Sequence, residues 1–301
     1  MTHPQAETTL AHMQTFEPPP PGLDPLTAPA SLLRQHGFPR RPDPATAPEL
    51  DRIWQRTFAR PKTIIQAELA FDEVMSARNP LYSGSENFTP SGWGGVVVET
   101  SSLGYSPAEP ATCVAGIIIV PEIYPVSGDS ASPLTVGFWV GLDGFTNGQV
   151  LQAGFAATIT GTSVNYWAWT EWYPLGPVAV TNFPLEVGDA ITVVVSAPQP
   201  DQGSVYLSNE RTGLATRIGI TPPAGITSIG ASAEWIVEGI SADLPNFFEC
   251  TFCDNVAETQ QHAFDLTPDG IITNIGGANG PLTEAIIAAP SAEIVLWEGN
   301  A

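Results

Sequence analysis

From about Ser85 to its end, the chain is a succession of short β-branched and aromatic runs separated by clusters of Gly, Pro, Asn and Asp. No helical periodicity lies between these runs. Many short strands joined by turns are typical of an antiparallel sandwich or barrel, because a parallel sheet needs helices between its strands. We therefore predict one all-β domain over residues 85–301.

Residues 1–84, here called the leader, have a different texture. Residues 1–48 are rich in proline and predict an extended segment. Apolar residues then recur at helical spacing, which predicts a short amphipathic helix from Pro48 to about Arg60. A second helix is predicted over residues 63–78. The leader is therefore expected to be partly extended and partly helical.

The chain is acidic, and its charge is unevenly placed. It has 10 Lys and Arg against 31 Asp and Glu, a formal net charge of -21. Residues 1–78 hold eight of the basic residues and nine acidic ones, whereas residues 79–301 hold only Arg211 and Arg217 beside 22 acidic ones. This balance excludes a protein that binds a phosphate backbone through basic patches. It fits either an ordinary soluble surface or adaptation to acid, where a domain with two cations builds up little positive charge.

The sequence gives little sign of a membrane, a metal or a histidine-dependent nucleophile. The N-terminus lacks the basic and apolar regions of a signal peptide, and no apolar run approaches the roughly 20 residues of a membrane span. Cys250 and Cys253 have the spacing of half a zinc site, but no second pair completes it, and Cys113 stands alone. The four histidines lie outside every motif quoted below, so a His-based triad is not expected. We predict a monomer without metal or cofactor.

Four predicted strands sort their residues onto two chemically different faces, because alternate side chains of a strand point in opposite directions. The strands are 135–143, 149–159, 166–173 and 231–240. In three of them one face is apolar throughout. The opposite faces carry tryptophans, amides and carboxylates but no cation: Trp139, Asp143, Gln152, Trp167, Trp169, Glu171, Tyr173, Glu234 and Glu238.

Such a face predicts a cleft with aromatic walls and carboxylates inside it. The alternative is a second packed interface, for example with the leader, in which the tryptophans are core. Carboxylates among aromatic rings can have raised pKa values and suit general acid–base catalysis. A pair of carboxylates could hydrolyse a glycoside, or one carboxylate and a neutral donor could hydrolyse a peptide bond. Spacing alone does not choose between these reactions.

Five motifs on these segments resemble, in the same order, those of the glutamic peptidases known as eqolisins, the G1 family. Each is weak alone, but five in order are fairly specific, and the segment Leu244–Phe247 resembles the one that follows them. The motifs are Ser91-Gly-Trp-Gly-Gly95, Phe138-Trp-Val-Gly-Leu-Asp-Gly144, Val150-Leu-Gln-Ala-Gly154, Ala168-Trp-Thr-Glu-Trp-Tyr-Pro174 and Ala233-Glu-Trp-Ile-Val-Glu238.

The resemblance implies a concanavalin-like antiparallel β-sandwich of two sheets and an acid-active endopeptidase with Gln152 and Glu234 as its catalytic dyad. In the family's mechanism the glutamate activates water and then protonates the leaving amine, while the glutamine orients the water and stabilises the tetrahedral intermediate. Supporting positions in the family's cleft match Trp139, Asp143, Trp169 and Glu171. The resemblance also implies polypeptide substrates, no cofactor and an extracellular location.

The chain departs from the fungal members of that family at Ala156 and Trp167, where they have aspartates. These departures predict a shifted pH optimum, an altered specificity or an inactive relative. The alternative function is therefore a catalytically inactive or carbohydrate-directed β-sandwich that binds through the same Trp-lined cleft. The leader places eight basic residues before a domain of strong negative charge. It is either a prosegment that docks on this domain and is released in acid, or a poorly ordered arm.

Overall fold

The computed structural model describes residues 4–78, 80–81, 92–105, 109–125, 133–241, 243–277 and 280–299. The fold is built on two large sheets whose strands are almost all antiparallel. Within the described ranges, no helix is long and apolar enough to span a membrane.

The described part of the leader contains three short helices, three short strands and one 3-10 turn. In chain order these are α1 (Pro4–Ala11), β1 (Met13–Thr15), α2 (Ala30–Gln35), α3 (Pro48–Phe58), β2 (Thr63–Ile64), β3 (Leu69–Phe71) and the 3-10 turn Met75–Ala77.

The strands that follow the leader make up most of both sheets. They are β4 (Trp93–Glu99), β5 (Cys113–Ile119), β6 (Leu134–Asp143), β7 (Val150–Thr160), β8 (Ser163–Tyr173), β9 (Val178–Val180), β10 (Ala190–Gln199), β11 (Gln202–Asn209), β12 (Leu214–Ile220), β13 (Ser232–Gly239), β14 (Glu249–Glu258), β15 (Ala263–Phe264), β16 (Ile271–Thr273), β17 (Gly276–Gly277), β18 (Gly280–Pro281), β19 (Thr283–Ala289) and β20 (Ala292–Trp297).

The two large sheets have eight and ten strands. The eight-stranded sheet has the order β16-β4-β13-β6-β7-β8-β9-β3. The ten-stranded sheet has the order β1-β12-β11-β10-β5-β14-β20-β19, with β2 beside β12 and β15 beside β14. The four strands with two-faced patterns are thus neighbours, and the predicted boundaries agree with β6, β7, β8 and β13 to within a few residues.

The main core lies between the two sheets. Val136, Phe138, Val140 and Leu142 of β6 are completely buried there, as the alternation predicts. Phe138 stacks on Phe155 of β7, with ring centroids 5.1 Å apart. Burying each side chain of this size stabilises the fold by about 1.5–3 kcal/mol. Two sheets joined by one apolar core confirm the predicted β-sandwich.

The leader's first part packs on the outer face of the ten-stranded sheet. Trp54 and Phe58 of α3 are buried against Tyr206 of β11, which points away from the main core. The guanidinium of Arg217 donates hydrogen bonds to the backbone carbonyls of His36 at 2.5 Å and Glu17 at 2.9 Å. The leader is therefore not a poorly ordered arm over this part of its length.

The prediction for the leader is right at α3 and wrong on both sides of it. Residues 1–48 contain the short helices α1 and α2, which the Pro-rich composition did not predict. The helix predicted over residues 63–78 is wrong, because β2 runs parallel to β12 and β3 pairs antiparallel with β9. Edge strands present unpaired N–H and C=O groups, and pairing with them replaces local helical hydrogen bonds. The predicted boundary between residues 84 and 85 lies outside the described residues.

Candidate active site

The predicted site residues lie on the outer face of the eight-stranded sheet, where the register aligns them in rows. Successive pairing partners place four residues of β13, β6, β7 and β8 side by side. The first row is Glu234, Gly141, Gln152 and Glu171. The second row is Ile236, Trp139, Gly154 and Trp169, and the third is Glu238, Gly137, Ala156 and Trp167.

Gly141 separates the two residues of the predicted dyad. Because neighbouring strands lie about 4.8 Å apart, the backbones of Glu234 and Gln152 are about 10 Å from each other. A Cβ atom at Gly141 would lie 2.9 Å from Cζ3 of Trp139 and 3.2 Å from Cβ of Gln152. Glycine is therefore needed where the indole of Trp139 leans over the strand. Sequence reasoning did not single out Gly141, although it lies inside one of the family motifs.

Glu234 is completely buried. Burial raises the pKa of its carboxyl group well above the usual value, with Ser232 opposing the shift and Asp143 adding to it. Neither carboxyl oxygen has a hydrogen bond of ordinary geometry to a described residue. A carboxyl group in this state holds its proton more tightly than usual, and both of its oxygens remain available to a reacting group.

The amide of Gln152 is completely buried and is oriented by Glu171. Its Nε2 donates to Oε2 of Glu171 at 2.9 Å, directly across the β7–β8 ladder. Its Oε1 has no hydrogen-bond partner in the part of the chain that the structure describes. The contact with Glu171 uses one of the two amide hydrogens, so the other remains available as a donor.

Arg78 of the leader connects Glu171 with Glu238. Its Nη2 donates to Oε2 of Glu171 at 2.8 Å, and its Nε donates to the two carboxylate oxygens of Glu238 at 3.0 and 3.1 Å. The guanidinium carbon lies 4.8 Å from the centroid of the Trp169 ring. The side chain of Arg78 is only 1% exposed, and those of the two glutamates are 2% exposed. The three charges thus form one buried ion cluster.

The pKa values in this cluster reflect burial and pairing acting against each other. Burial raises the pKa of both Glu171 and Glu238, and the charge of Arg78 only partly opposes the shift. For Arg78, burial lowers the pKa, but the two carboxylates outweigh burial and the net shift is upward. The guanidinium therefore stays charged, and either carboxyl group takes up a proton more readily than an exposed glutamate.

The leader covers this face of the sheet at three further points. Met75 is completely buried in a cluster with Trp93, Trp139 and Trp169. Nε1 of Trp167 donates to Asp72 at 2.5 Å, and Nε1 of Trp93 donates to the carbonyl of Pro80 at 3.2 Å. The sequence predicted either an open cleft or an interface packed against the leader. In this structure the face is packed against the leader.

Ala156 and Trp167, the two departures from the fungal pattern, lie directly opposite each other in the β7–β8 ladder. Ala156 is completely buried, and Trp167 is the residue that contacts Asp72 of the leader. A small residue leaves room for a large one across the ladder. The two departures are therefore one paired change on the surface that the leader covers.

Asp143 and Glu238 make contacts that the sequence did not predict. The carboxylate of Asp143 accepts hydrogen bonds from the backbone N–H groups of Ile229, Gly230 and Ala231 at 2.8–3.0 Å. It therefore anchors the loop that leads into β13. The sequence analysis placed Glu238 on the polar face but not among the site residues. In the structure its carboxylate accepts hydrogen bonds from Arg78 and, at 3.0 Å, from Nε1 of Trp139.

The cysteines and the histidines described next are not among the contacts of this face. Cys113 and Cys250 are buried, and Cys253 is partly buried. His12 contacts Thr221, and His262 contacts Glu109. Among the described residues, no group of three His, Cys, Asp or Glu side chains comes close enough to hold a metal ion.

Comparison with known proteins agrees with the fold and with the motifs. The model of the peptidase A4 family matches residues 91–295. The crystal structure of scytalido-glutamic peptidase with a transition state analog inhibitor superposes with a TM-score of 0.58 at 24% identity, covering 69% of this chain and 98% of that chain. SCP-B, an eqolisin in complex with the tripeptide Ala-Ile-His, gives a TM-score of 0.55 at 24% identity with the same coverage.

Aspergilloglutamic peptidase from Aspergillus niger gives a TM-score of 0.51 at 25% identity, covering 54% of this chain and 98% of that chain. No curated protein sequence matches the chain significantly. Residues 1–90 lie outside the family match, which spans the sandwich and most of its strands. The chain therefore belongs to the peptidase A4 family, the eqolisin glutamic endopeptidases that its motifs resemble.

Proposed function

We propose that the chain is an acid-active endopeptidase in which Glu234 and Gln152 act together on a water molecule and a peptide bond. The observation that carries this proposal is the first row of the sheet. It places Glu234 and Gln152 on the same face, separated by a residue without a side chain. Membership of a peptidase family supports the same assignment.

In the proposed reaction, Glu234 takes a proton from water as the water oxygen bonds to the scissile carbonyl carbon. The carbonyl oxygen becomes an oxyanion, and the free amide hydrogen of Gln152 stabilises it. Glu171 holds that amide in place. The protonated Glu234 then gives its proton to the peptide nitrogen as the C–N bond breaks, which releases an acid and an amine.

The pKa of Glu234 determines how the rate depends on pH. A general base is most effective when its pKa lies near the working pH, and burial raises the pKa of Glu234 above its usual value. The ionised form is the base, so the rate is expected to fall as the pH drops through this pKa. Activity in acid therefore requires that the carboxyl group be solvated when the site is open, because solvation would move its pKa back toward the ordinary acidic range.

The test is cleavage of an unfolded protein such as casein between pH 2 and 6, in the presence of pepstatin, after preincubation at about pH 3.5. We expect Gln152→Ala and Glu234→Gln to lose about 100-fold or more in rate. Glu293→Gln is the matched control, because it changes a buried glutamate outside the site. An inert wild-type chain, or full activity of both dyad variants, would show that the assignment is wrong.

The carbohydrate-directed alternative has less support. Trp139 packs edge-on against Trp93 with centroids 4.9 Å apart, and Trp169 lies beneath a guanidinium. Neither ring presents the open flat surface on which a sugar would stack. Binding of a glucan without proteolysis in the same preparation would favour this alternative.

A further inference from the structure

The site that holds Arg78 belongs mainly to the sandwich and not to the leader. Glu171 and Trp169 are on β8, and Glu238 is on β13. Among the described residues of the leader, the arginine itself and the carbonyl of Met75, which accepts from Nη1 at 2.9 Å, contribute to the site. The sandwich therefore supplies the walls of a pocket for a planar cation, with two carboxylates at its sides and an indole against its face.

The chemistry of the pocket selects a guanidinium. Nε donates to both carboxylate oxygens of Glu238, and Nη2 donates to Glu171. The planar guanidinium thus binds two carboxylates that lie on different sides of it. A lysine ammonium has no such planar fork and stacks less well on an indole. Arginine is therefore the side chain that these three residues fit.

The sandwich has no spare cation of its own for this pocket. Arg211 and Arg217 are the only basic residues after Arg78. Arg211 pairs with Asp189 and with Glu186, the latter at 2.8 Å. Arg217 lies on the other sheet, where it donates to backbone carbonyls of the leader. Two buried ionised carboxylates without a partner cation are costly, so ionised Glu171 and Glu238 favour a cation from outside the sandwich.

The pocket also touches the proposed dyad. Oε2 of Glu171 accepts from Arg78 at 2.8 Å and from Nε2 of Gln152 at 2.9 Å. A guanidinium in the pocket is thus separated from the catalytic amide by a single carboxylate. A peptide that places an arginine here would run across the face that carries Glu234 and Gln152.

We propose that Glu171, Glu238 and Trp169 form a substrate subsite that binds the side chain of an arginine, and that Arg78 fills it as a tethered competitor. The inference rests on the proposed function, since it names a substrate side chain, that of arginine, that the same site would bind. A tethered group has an effective concentration of the order of millimolar, so the leader competes with free peptides. Asp72 and Met75 hold the competitor against the same face.

The binding test uses Arg78→Met, which empties the pocket, and N-acetyl-arginine amide as the probe. At pH 6 we expect this probe to raise the Tm of Arg78→Met, while the uncharged N-acetyl-citrulline amide does not. The wild type and Arg34→Met, which removes an exposed leader arginine, should not respond. Circular dichroism checks that each variant is folded, and Arg78→Lys serves as a milder second variant. A folded Arg78→Met with no response to the arginine probe overturns the proposal.

The cleavage test compares peptides of one sequence that carry a single arginine or citrulline at successive positions. For Arg78→Met we expect kcat/KM to be about tenfold or more higher with arginine at one position. Adding Glu238→Gln should reduce this ratio. If the probe binds but no peptide is cleaved, the subsite stands and the proposed function fails. If peptides are cleaved without preference and the probe does not bind, the function stands and the subsite fails.

Discussion

The leader covers both outer faces of the sandwich and forms ion pairs on each, but on the eight-stranded sheet the ion pairs form a buried cluster beside the proposed dyad. On the ten-stranded sheet it buries apolar side chains such as Trp54 and Phe58 against Tyr206. On the eight-stranded sheet its main contacts are one methionine and a buried ion cluster around Arg78. Apolar contacts contain no group that titrates or that a substrate can imitate, whereas an ion cluster contains both. We therefore propose that the first part of the leader is an integral part of the fold, whereas residues 72–78 are a replaceable cover.

The largest effect is expected from breaking the apolar cover. Trp54→Ala removes a buried indole that packs on Phe58 with centroids 4.4 Å apart. We expect it to lower the free energy of unfolding by about 3–5 kcal/mol, as measured by urea denaturation. A loss below about 1 kcal/mol would mean that this part of the leader is as replaceable as the other.

The matching change on the other face is Met75→Ala. Met75 is completely buried, but the strands beneath it are held by the main core whether or not the leader stays in place. We expect faster hydrogen exchange over residues 72–78 and a smaller change in the free energy of unfolding than Trp54→Ala causes. Equal losses in both variants would contradict the division of the leader into two parts.

Much of the sandwich could be predicted from the sequence, because the alternation that defines a strand is local. The faces of β6, β7, β8 and β13 follow from residues two apart. The role of Arg78 could not be predicted in this way, since its partners lie 93 and 160 positions away in the chain. The short strands β2 and β3 were missed for the same reason, because their pairing partners on the sheet edges decide their conformation.

Glu293 shows what burial alone does to a carboxyl group, because it lies inside the sandwich and away from the contacts of the leader described above. Glu293 of β20 is completely buried, and its oxygens have no hydrogen-bond partner among the described residues. Burial raises the pKa of its carboxyl group well above the usual value. The folded state therefore binds the proton more tightly than the unfolded state. This stabilisation is complete below the unfolded pKa and is lost as the pH rises through the folded pKa.

Glu293→Gln removes this titration while it keeps the shape of the side chain. We expect the variant to be more stable than the wild type by about 2 kcal/mol at pH 7, because no buried charge has to be accommodated. At pH 4 the two should be nearly equal. Urea denaturation at both pH values is the measurement, and an equal difference at the two values would show that the carboxyl group does not titrate as described.

The smallest effect is expected from Trp167→Phe, which keeps an aromatic ring opposite Ala156 and removes the hydrogen bond to Asp72. We expect the leader segment to dock less tightly by about 1 kcal/mol, with no change in the unfolding of the sandwich. Limited proteolysis after Arg78 at pH 6 should be faster in this variant, by the factor that corresponds to this loss of docking free energy. Unchanged proteolysis would mean that Asp72 does not help to hold the cover.

The central claim is that Glu234 and Gln152 form a catalytic dyad beneath a replaceable cover. The most direct measurement is kcat/KM on one arginine-containing peptide at pH 4–5 for the wild type, Arg78→Met and Arg78→Met/Glu234→Gln. We predict that Arg78→Met is faster than the wild type and that adding Glu234→Gln abolishes cleavage. A double variant that cleaves as fast as Arg78→Met would contradict the dyad, and an Arg78→Met no faster than the wild type would contradict the cover.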